Sequence, residues 1–259
     1  MARIQMPKLV GLKGVRPIVL STAYDYSQAR LIDGAVDAIL VGDSLGMVVA
    51  GLGSTLEVTL DQIIYHCQMV ARGAETSLVI GDLPFLSYQV NEEEALRSAG
   101  RLIQEGKVQA VKLEGGSECL GQIKKIVSVG IPVVGHLGME PQKVLRYGGY
   151  GKQAKGADQA ATLKAEALAV QDAGVSMLVL ENIEHALAAE ISQTLEIPTI
   201  GIGAGAATDG QVQVFHDLMG LDPNFSPRHA VPYRKLGEEI RAAIEEYAAA
   251  VKEGKFHSP

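Results

Sequence analysis

The stretch AVKLEGG, residues 110–116, carries Lys112 and Glu114 on a segment that otherwise reads as a buried strand. Side chains two apart on a strand share a face, so an ammonium and a carboxylate point the same way, just ahead of a Gly-Gly turn. The pair is either a buried structural ion pair or half of an active site. Its surroundings bear on that choice and on the fold together. Short runs rich in Val, Ile and Leu recur along the chain: PIVLSTAYD (17–25), DAILVGDS (37–44), SLVIGDL (77–83), PVVGHLG (132–138), SMLVLEN (176–182), PTIGIGAG (198–205) and QVQVFHD (211–217). Near-continuous apolar runs of this length suit parallel strands covered on both faces. Nearly every run ends in a polar side chain: Asp25, Asp43, Asp82, Lys112 with Glu114, His136 and Glu181, whereas PTIGIGAG ends in glycines. A barrel gathers such ends at one mouth, where barrel active sites lie. An open, doubly wound sheet, the rival architecture, would spread them along an edge. The expected fold is therefore α/β, a (β/α)8 TIM barrel, forming a single domain over residues 1–259 with a C-terminal helix.

The segments between the runs carry helix punctuation. Thr59 with Gln62 makes a capping-box pattern ahead of LDQIIYHCQMVARG, with Gly73 as its stop. Asn91 before Glu92, Glu93 and Glu94 opens a helix with acids at its positive end, closed by Gly106. Asp158 opens another that ends at Gly174, and GEEIRAAIEEYAAAVKEG (237–254) reads as an amphipathic packing or subunit-contact helix. Between the last two runs ATDG (207–210) is too short for a full helix. Two loops stand out, SLGMVVAGLGST (44–55) and residues 138–156 with RYGGYGKQAKG inside them. The second reads as a mobile lid, as an anion-contacting loop, or as a plain surface loop.

Composition narrows the function classes. The chain has 259 residues, 47% of them hydrophobic, enough for a sizeable core. A net charge of −7 without a basic cluster argues against nucleic acid as a partner. Cys67 and Cys119 lack C-x-x-C spacing, so neither a zinc site nor a disulfide framework is indicated. The N-terminal MARIQMPKLVGLKG lacks an apolar core of signal-peptide length, and no apolar run reaches the roughly 18 residues of a membrane span. A soluble, cytoplasmic protein without membrane partners is expected.

The sharpest cluster is Asp43, Asp82 and Glu114, each following an apolar strand. One such acid is as readily a turn-former or helix cap. Three at one mouth raise each other's pKa unless a cation sits among them. With no His or Cys at comparable spacing, the cation should be hard and oxygen-loving, and Mg²⁺ fits. Lys112 then reads as a protonated group holding a substrate carboxylate or a developing enolate oxygen, in preference to a Schiff-base lysine or a plain salt bridge to Glu114. Glu181 is a candidate general acid/base, with a loop or capping acid as the alternative. His136 lines the same pocket or is a satisfied core histidine. GIGAG (201–205) lacks the spacing of a nucleotide-binding loop and reads better as a tight turn.

The segments TAYDYS (22–27), VGDSLGM (41–47), STLEVTLDQIIYH (54–66), DLPF (82–85), VKLEGG (111–116), GHLGMEPQ (135–142), YGGY (147–150), LVLE (178–181), IPTIGIGAG (197–205) and TDGQVQVFHD (208–217) closely resemble the ketopantoate hydroxymethyltransferase family. The resemblance runs, in order, from about residue 8 to about residue 253. It implies the eight-stranded barrel, a cytosolic setting, a Mg²⁺ requirement and a homo-oligomer, typically a decamer. It also implies transfer of a hydroxymethyl group from 5,10-methylenetetrahydrofolate to 3-methyl-2-oxobutanoate, giving 2-dehydropantoate for pantothenate, the coenzyme A precursor, through a Mg-chelated enolate. Carried over by position, Asp43, Asp82 and Glu114 look like metal ligands, with Asp43 and Asp82 close to the keto acid. Ser44 and Lys112 look like substrate contacts, His136 belongs to the substrate pocket, and Glu181 matches the acid/base position. The sequence departs from the family pattern in RYGGYGKQAKG and in LDPNFSPRHAVPYRK (221–235). The rival is a Mg-dependent carbon–carbon lyase or mutase of the isocitrate lyase/phosphoenolpyruvate mutase type. Those enzymes use a reactive lid cysteine, whereas Cys67 and Cys119 both fall in predicted helices.

Overall fold

In the computed structural model, which describes residues 3–224, 227 and 230–255, eight parallel strands close into a barrel in sequence order. They are β1 Ile18–Thr22, β2 Ala38–Val41, β3 Leu78–Asp82, β4 Ala110–Lys112, β5 Val133–Gly138, β6 Met177–Glu181, β7 Thr199–Ile202 and β8 Gly210–Gln213. Seven of the eight runs read from sequence contain one of these strands, and β8 starts one residue ahead of the run at 211–217. The barrel, rather than an open doubly wound sheet, is the observed architecture.

Strand alternation builds two separate cores. Leu20, Leu40, Ile80, Val134, Val179 and Ile202 belong to one apolar cluster, composed of alternate strand residues, that fills the barrel. Met6 and Leu9 of the short N-terminal helix join that cluster. Their neighbour Ile4 donates its backbone N–H to Thr76 just before β3, so this helix plugs the end where the strands begin. The alternate residues Ile39, Val79, Val111 and Leu178 instead pack outward against the helices, for example on Ile63, Cys67 and Leu102. Burial on both faces is why the strands read as continuous apolar runs rather than alternating ones.

The helix signals resolve in detail. Thr59 and Gln62 form the full capping box of helix Leu60–Gly73, and Asn91 accepts from the Glu94 N–H at the start of helix Glu92–Gln104. Helix Ala157–Asp172 starts from Gly156, with Asp158 inside its first turn rather than at its cap. Asp25 lies apart from the mouth's chemistry: its carboxylate caps helix Tyr26–Ile32 by accepting from Gln28 N–H at 2.7 Å. The last run divides. β8 stops at Gln213, and Phe215–Met219 is a helical turn ended by Gly220 in the left-handed region, whose N–H returns to the Asp217 carbonyl.

The chain divides into two compact units, Met1–Val212 and Gln213–Pro259. Within the second, helix Leu236–Lys252 leaves Ile240, Ile244, Tyr247 and Val251 exposed along one stripe. Phe225, Ser226, Arg228 and His229 of the divergent 221–235 stretch lie outside the described residues. Among the described residues no helix is long and apolar enough to cross a membrane.

Closure of the barrel leaves no room at Gly210, where a Cβ would stand 2.3 Å from the Ile18 carbonyl oxygen and 2.8 Å from Ile200 Cδ1. Gly210→Ala is therefore expected to cost about 1–3 kcal/mol in urea unfolding. Gly100→Ala, in a helix with open space around it, should gain about 0.5–1 kcal/mol. A Gly210→Ala chain as stable as the parent would contradict the tight β1–β8 seam.

Candidate active site

The site is the continuation of the barrel's inner face. Two residues beyond Ile80 on that face comes Asp82; beyond Ala110 come Lys112 and then Glu114; beyond Val134, His136; beyond Val179, Glu181. The alternation that fills the barrel with hydrocarbon thus ends in a layer of charge where the strands end. Asp82 and Lys112 are register partners on β3 and β4. Lys112 Nζ lies 2.8 and 2.9 Å from the two Asp82 oxygens and 3.7 Å from Glu114 Oε1. Burial alone would lower the ammonium's pKa, but Asp82, Glu114 and Asp43 outweigh it and raise it. A lysine held in its charged form is a poor Schiff-base nucleophile, which needs the free amine.

Asp43 does not follow the alternation. It sits past Val41 and Gly42, where the chain turns into the short helix Leu45–Val48. Its N–H donates to Asp82 Oδ2 at 3.3 Å. Burial first, then the Asp82 charge, push its carboxyl up to about 7 against the pull of Lys112 and Gln142. Glu114 is raised well above the usual carboxylate range by burial, with Asp43 and Asp82 adding to it and Lys112 opposing. Ser44, half-buried beside Asp43, shares a hydrogen bond of 2.8 Å with the Tyr24 hydroxyl.

His136 is buried, with Nδ1 3.6 Å from Glu114 Oε1 and Nε2 3.3 Å from Glu181 Oε2. Neither ring nitrogen completes a hydrogen bond. Buried polar atoms are ordinarily satisfied, so this imidazole is not a settled core histidine. Glu181 remains partly open, its side chain 15% exposed.

Sequence reasoning did not single out Gln142, which ties the acids together. Its Nε2 donates to Asp43 Oδ2 at 2.9 Å and to the Leu83 carbonyl at 3.0 Å. Its Oε1 accepts from Gln89 Nε2 and from the Tyr88 hydroxyl, each at 3.0 Å. Its backbone N–H donates to Glu114 Oε2 at 3.0 Å. Every hydrogen-bonding site of the side-chain amide is used, and Gln142 as a whole fixes one oxygen of Asp43 and one of Glu114. Gln142 lay in plain view in GHLGMEPQ, but nothing in periodicity distinguishes it. Tyr88 is the second omission: buried, it stands 2.8 Å from the Glu114 carbonyl and 3.1 Å from the Glu114 nitrogen. Over the site, Tyr150 in the 138–156 loop donates to Met47 Sδ at 3.7 Å. Burial and the charges of Asp43, Glu181 and Glu114 raise its phenol pKa.

A hard divalent cation is matched by oxygen donors. Asp43, Asp82 and Glu114 offer only oxygen, and their charge exceeds what Lys112 supplies, which suits such an ion. Among the described residues, however, no three His, Cys, Asp or Glu side chains stand together as a ready-made ligand group. Lys112 engages both oxygens of Asp82 and the Gln142 N–H engages one oxygen of Glu114. The fit is to an ion that takes few protein oxygens and leaves positions for others, as Mg²⁺ does.

The ketopantoate hydroxymethyltransferase family model matches residues 3–259. A 3-methyl-2-oxobutanoate hydroxymethyltransferase from Trichodesmium erythraeum is 50% identical over 246 residues, covering 94% of this chain and 93% of its own length. Another, from Thermosynechococcus vestitus, is 51% identical over 256 residues and 98% of each chain. Solved structures share the fold at low identity. A phosphoenolpyruvate phosphomutase from Streptomyces platensis subsp. rosaceus superposes with a TM-score of 0.66 at 14% identity, over 99% of this chain and 92% of its own. A phosphonopyruvate hydrolase in complex with oxalate and Mg²⁺ gives 0.65 at 11% identity, over 97% and 88%. The family-model match over residues 3–259 of this chain, with relatives about 50% identical over nearly their full length, means that this chain is an enzyme of the ketopantoate hydroxymethyltransferase family.

Proposed function

We propose that the enzyme moves a hydroxymethyl group from 5,10-methylenetetrahydrofolate to 3-methyl-2-oxobutanoate, giving 2-dehydropantoate on the route to pantothenate. The observation that carries this reading is the buried layer of Asp43, Asp82, Lys112, Glu114 and His136 facing the partly open Glu181, in a chain of this family. At C3 of the keto acid a C–H bond breaks and a C–C bond to the folate's methylene carbon forms; that carbon's two C–N bonds break, water supplies the new hydroxyl oxygen, and tetrahydrofolate leaves with a proton on each of the two nitrogens.

This chain's residues divide the work. Asp43 and Asp82 would hold a Mg²⁺ ion, with Glu114 close by. The bound ion would supply Lewis acidity toward the two oxygens of a 2-oxo acid. Lys112, kept charged by Asp82, faces the carboxylate or the developing enolate oxygen; such preorganised charge is commonly worth about 10²–10³ in rate. Ser44 offers a hydroxyl to the substrate. Glu181 moves the C3 proton, and His136, 3.3 Å from it, orients it or hydrogen-bonds the substrate. The Gln142 amide holds Asp43 in place while this happens.

A lyase or mutase with a reactive lid cysteine is a poorer fit. Cys67 and Cys119 are both buried and unpaired. Burial pushes the Cys119 thiol up to about 12 and raises that of Cys67 as well, so neither is poised as a thiolate. The exposed stripe on helix Leu236–Lys252 supports a homo-oligomer, read as a decamer from the family resemblance. The two free thiols support a cytoplasmic setting.

Incubated in D₂O with 3-methyl-2-oxobutanoate and Mg²⁺, the enzyme should exchange the C3 proton. With 5,10-methylenetetrahydrofolate added it should form 2-dehydropantoate. Neither exchange nor product would sink the proposal. Glu181→Gln should slow exchange by about 10²–10⁴; exchange at the parent rate would move Glu181's role to the folate nitrogen.

A further inference from the structure

Glu181 is followed by Asn182, one of four described non-glycine residues with positive φ, at +47°. Asn tolerates this left-handed region better than most residues, but the conformation still needs something to hold it. Three contacts join this point to residues 150–153 of the long loop. Asn182 Nδ2 donates to the Tyr150 carbonyl at 3.1 Å. The Gln153 N–H donates to the Asn182 carbonyl at 3.0 Å. Lys152 Nζ lies 3.3 Å from Glu184 Oε1. From this strap the Tyr150 side chain reaches the other way, its hydroxyl on Met47 Sδ, four residues after Asp43, so Tyr150 links the residue after β6 to the short helix after β2. Asn182's own N–H is used on Ile202 of β7 at 2.9 Å, so its backbone is tied to the barrel while its side chain and carbonyl are tied to the strap.

We propose that Asn182 is a positioning residue that clasps residues 150–153 over the keto acid beside Glu181. It makes no contact with the reacting atoms. Its side-chain amide keeps the strap seated, and the seated strap retains the substrate. The substrate part of this inference rests on the reaction proposed above; the clasp itself does not.

The test uses Asn182→Gly, which keeps the left-handed backbone and removes the amide. It also uses Asn182→Asp, which keeps the shape but sets an acceptor against the Tyr150 carbonyl. Both variants should be cut within residues 144–156 at least about threefold faster in limited proteolysis. Both should raise KM for 3-methyl-2-oxobutanoate by about 5–10-fold in the C3 exchange assay, the range expected for one hydrogen bond, with kcat within about threefold. A merely structural lesion would lower the active fraction and so kcat, leaving KM alone. A wild-type KM in both variants, or a raised KM with unchanged cleavage of the strap, overturns the inference. If the parent enzyme shows no exchange, the proposed reaction falls and the cleavage rates alone decide whether the clasp exists.

Discussion

The contact on which the rest of the site depends is the buried pair of Lys112 and Asp82, whose charged atoms meet at 2.8 Å with almost no exposure. Burying such a pair brings large desolvation costs, and an apolar pair of the same volume is often as stable or more so. Its place in this barrel is therefore better explained by what it does for its neighbours. Asp43 and Glu114 crowd the same end, and burial together with the neighbouring carboxylates pushes both toward the neutral form, against which Lys112 pulls. Lys112 lets part of that negative charge persist in the interior. A cation and a carboxylate substrate can then take the remainder.

The barrel makes this arrangement inexpensive in sequence. One interior face supplies both the hydrocarbon layers and, two residues further along several strands, the charged layer, so no separate scaffold is required. What the strands do not supply comes from the loops after them. Asp43 enters from a turn, and Gln142 follows β5 to fix one oxygen on each of two acids through two hydrogen bonds, with a third to the Leu83 carbonyl. The segment around Tyr150 covers the mouth from above. The rigid layer sets positions, and the loops set which oxygens and ring nitrogens remain for a ligand.

This division also explains what could be read from the sequence. The fold was legible because strands buried on both faces leave long apolar runs, and because charged residues recur at the same end of those runs. Lys112, Glu114, Asp82, His136 and Glu181 were legible for the same reason: each is a strand's inner face carried on by two or four residues. Asp25 matched the pattern and yet belongs to a helix cap, since capping depends on the local turn and uses the same residue type at the same place. FHD after β8 read as strand, and the turn set by Gly220 makes it helical. Gln142, Tyr88 and Asn182 had no periodic signature at all. Their roles come from which loops meet over the barrel, and that is fixed by tertiary packing. The ammonium's hold on Asp82 was likewise hidden. Sequence spacing paired Lys112 with Glu114, two residues away, while the closer partner lies across the sheet in register on β3.

We propose that this acid-rich end of the barrel is completed by a divalent cation and a 2-oxo acid together. Thermal unfolding with Mg²⁺, with 3-methyl-2-oxobutanoate, and with both reads this directly, because a ligand present at about 100 times its Kd stabilises the folded state by about 2.7 kcal/mol. The two together should raise Tm by more than the sum of their separate effects. Unchanged Tm in all three conditions, or stabilisation by the keto acid that is the same with and without Mg²⁺, would contradict it.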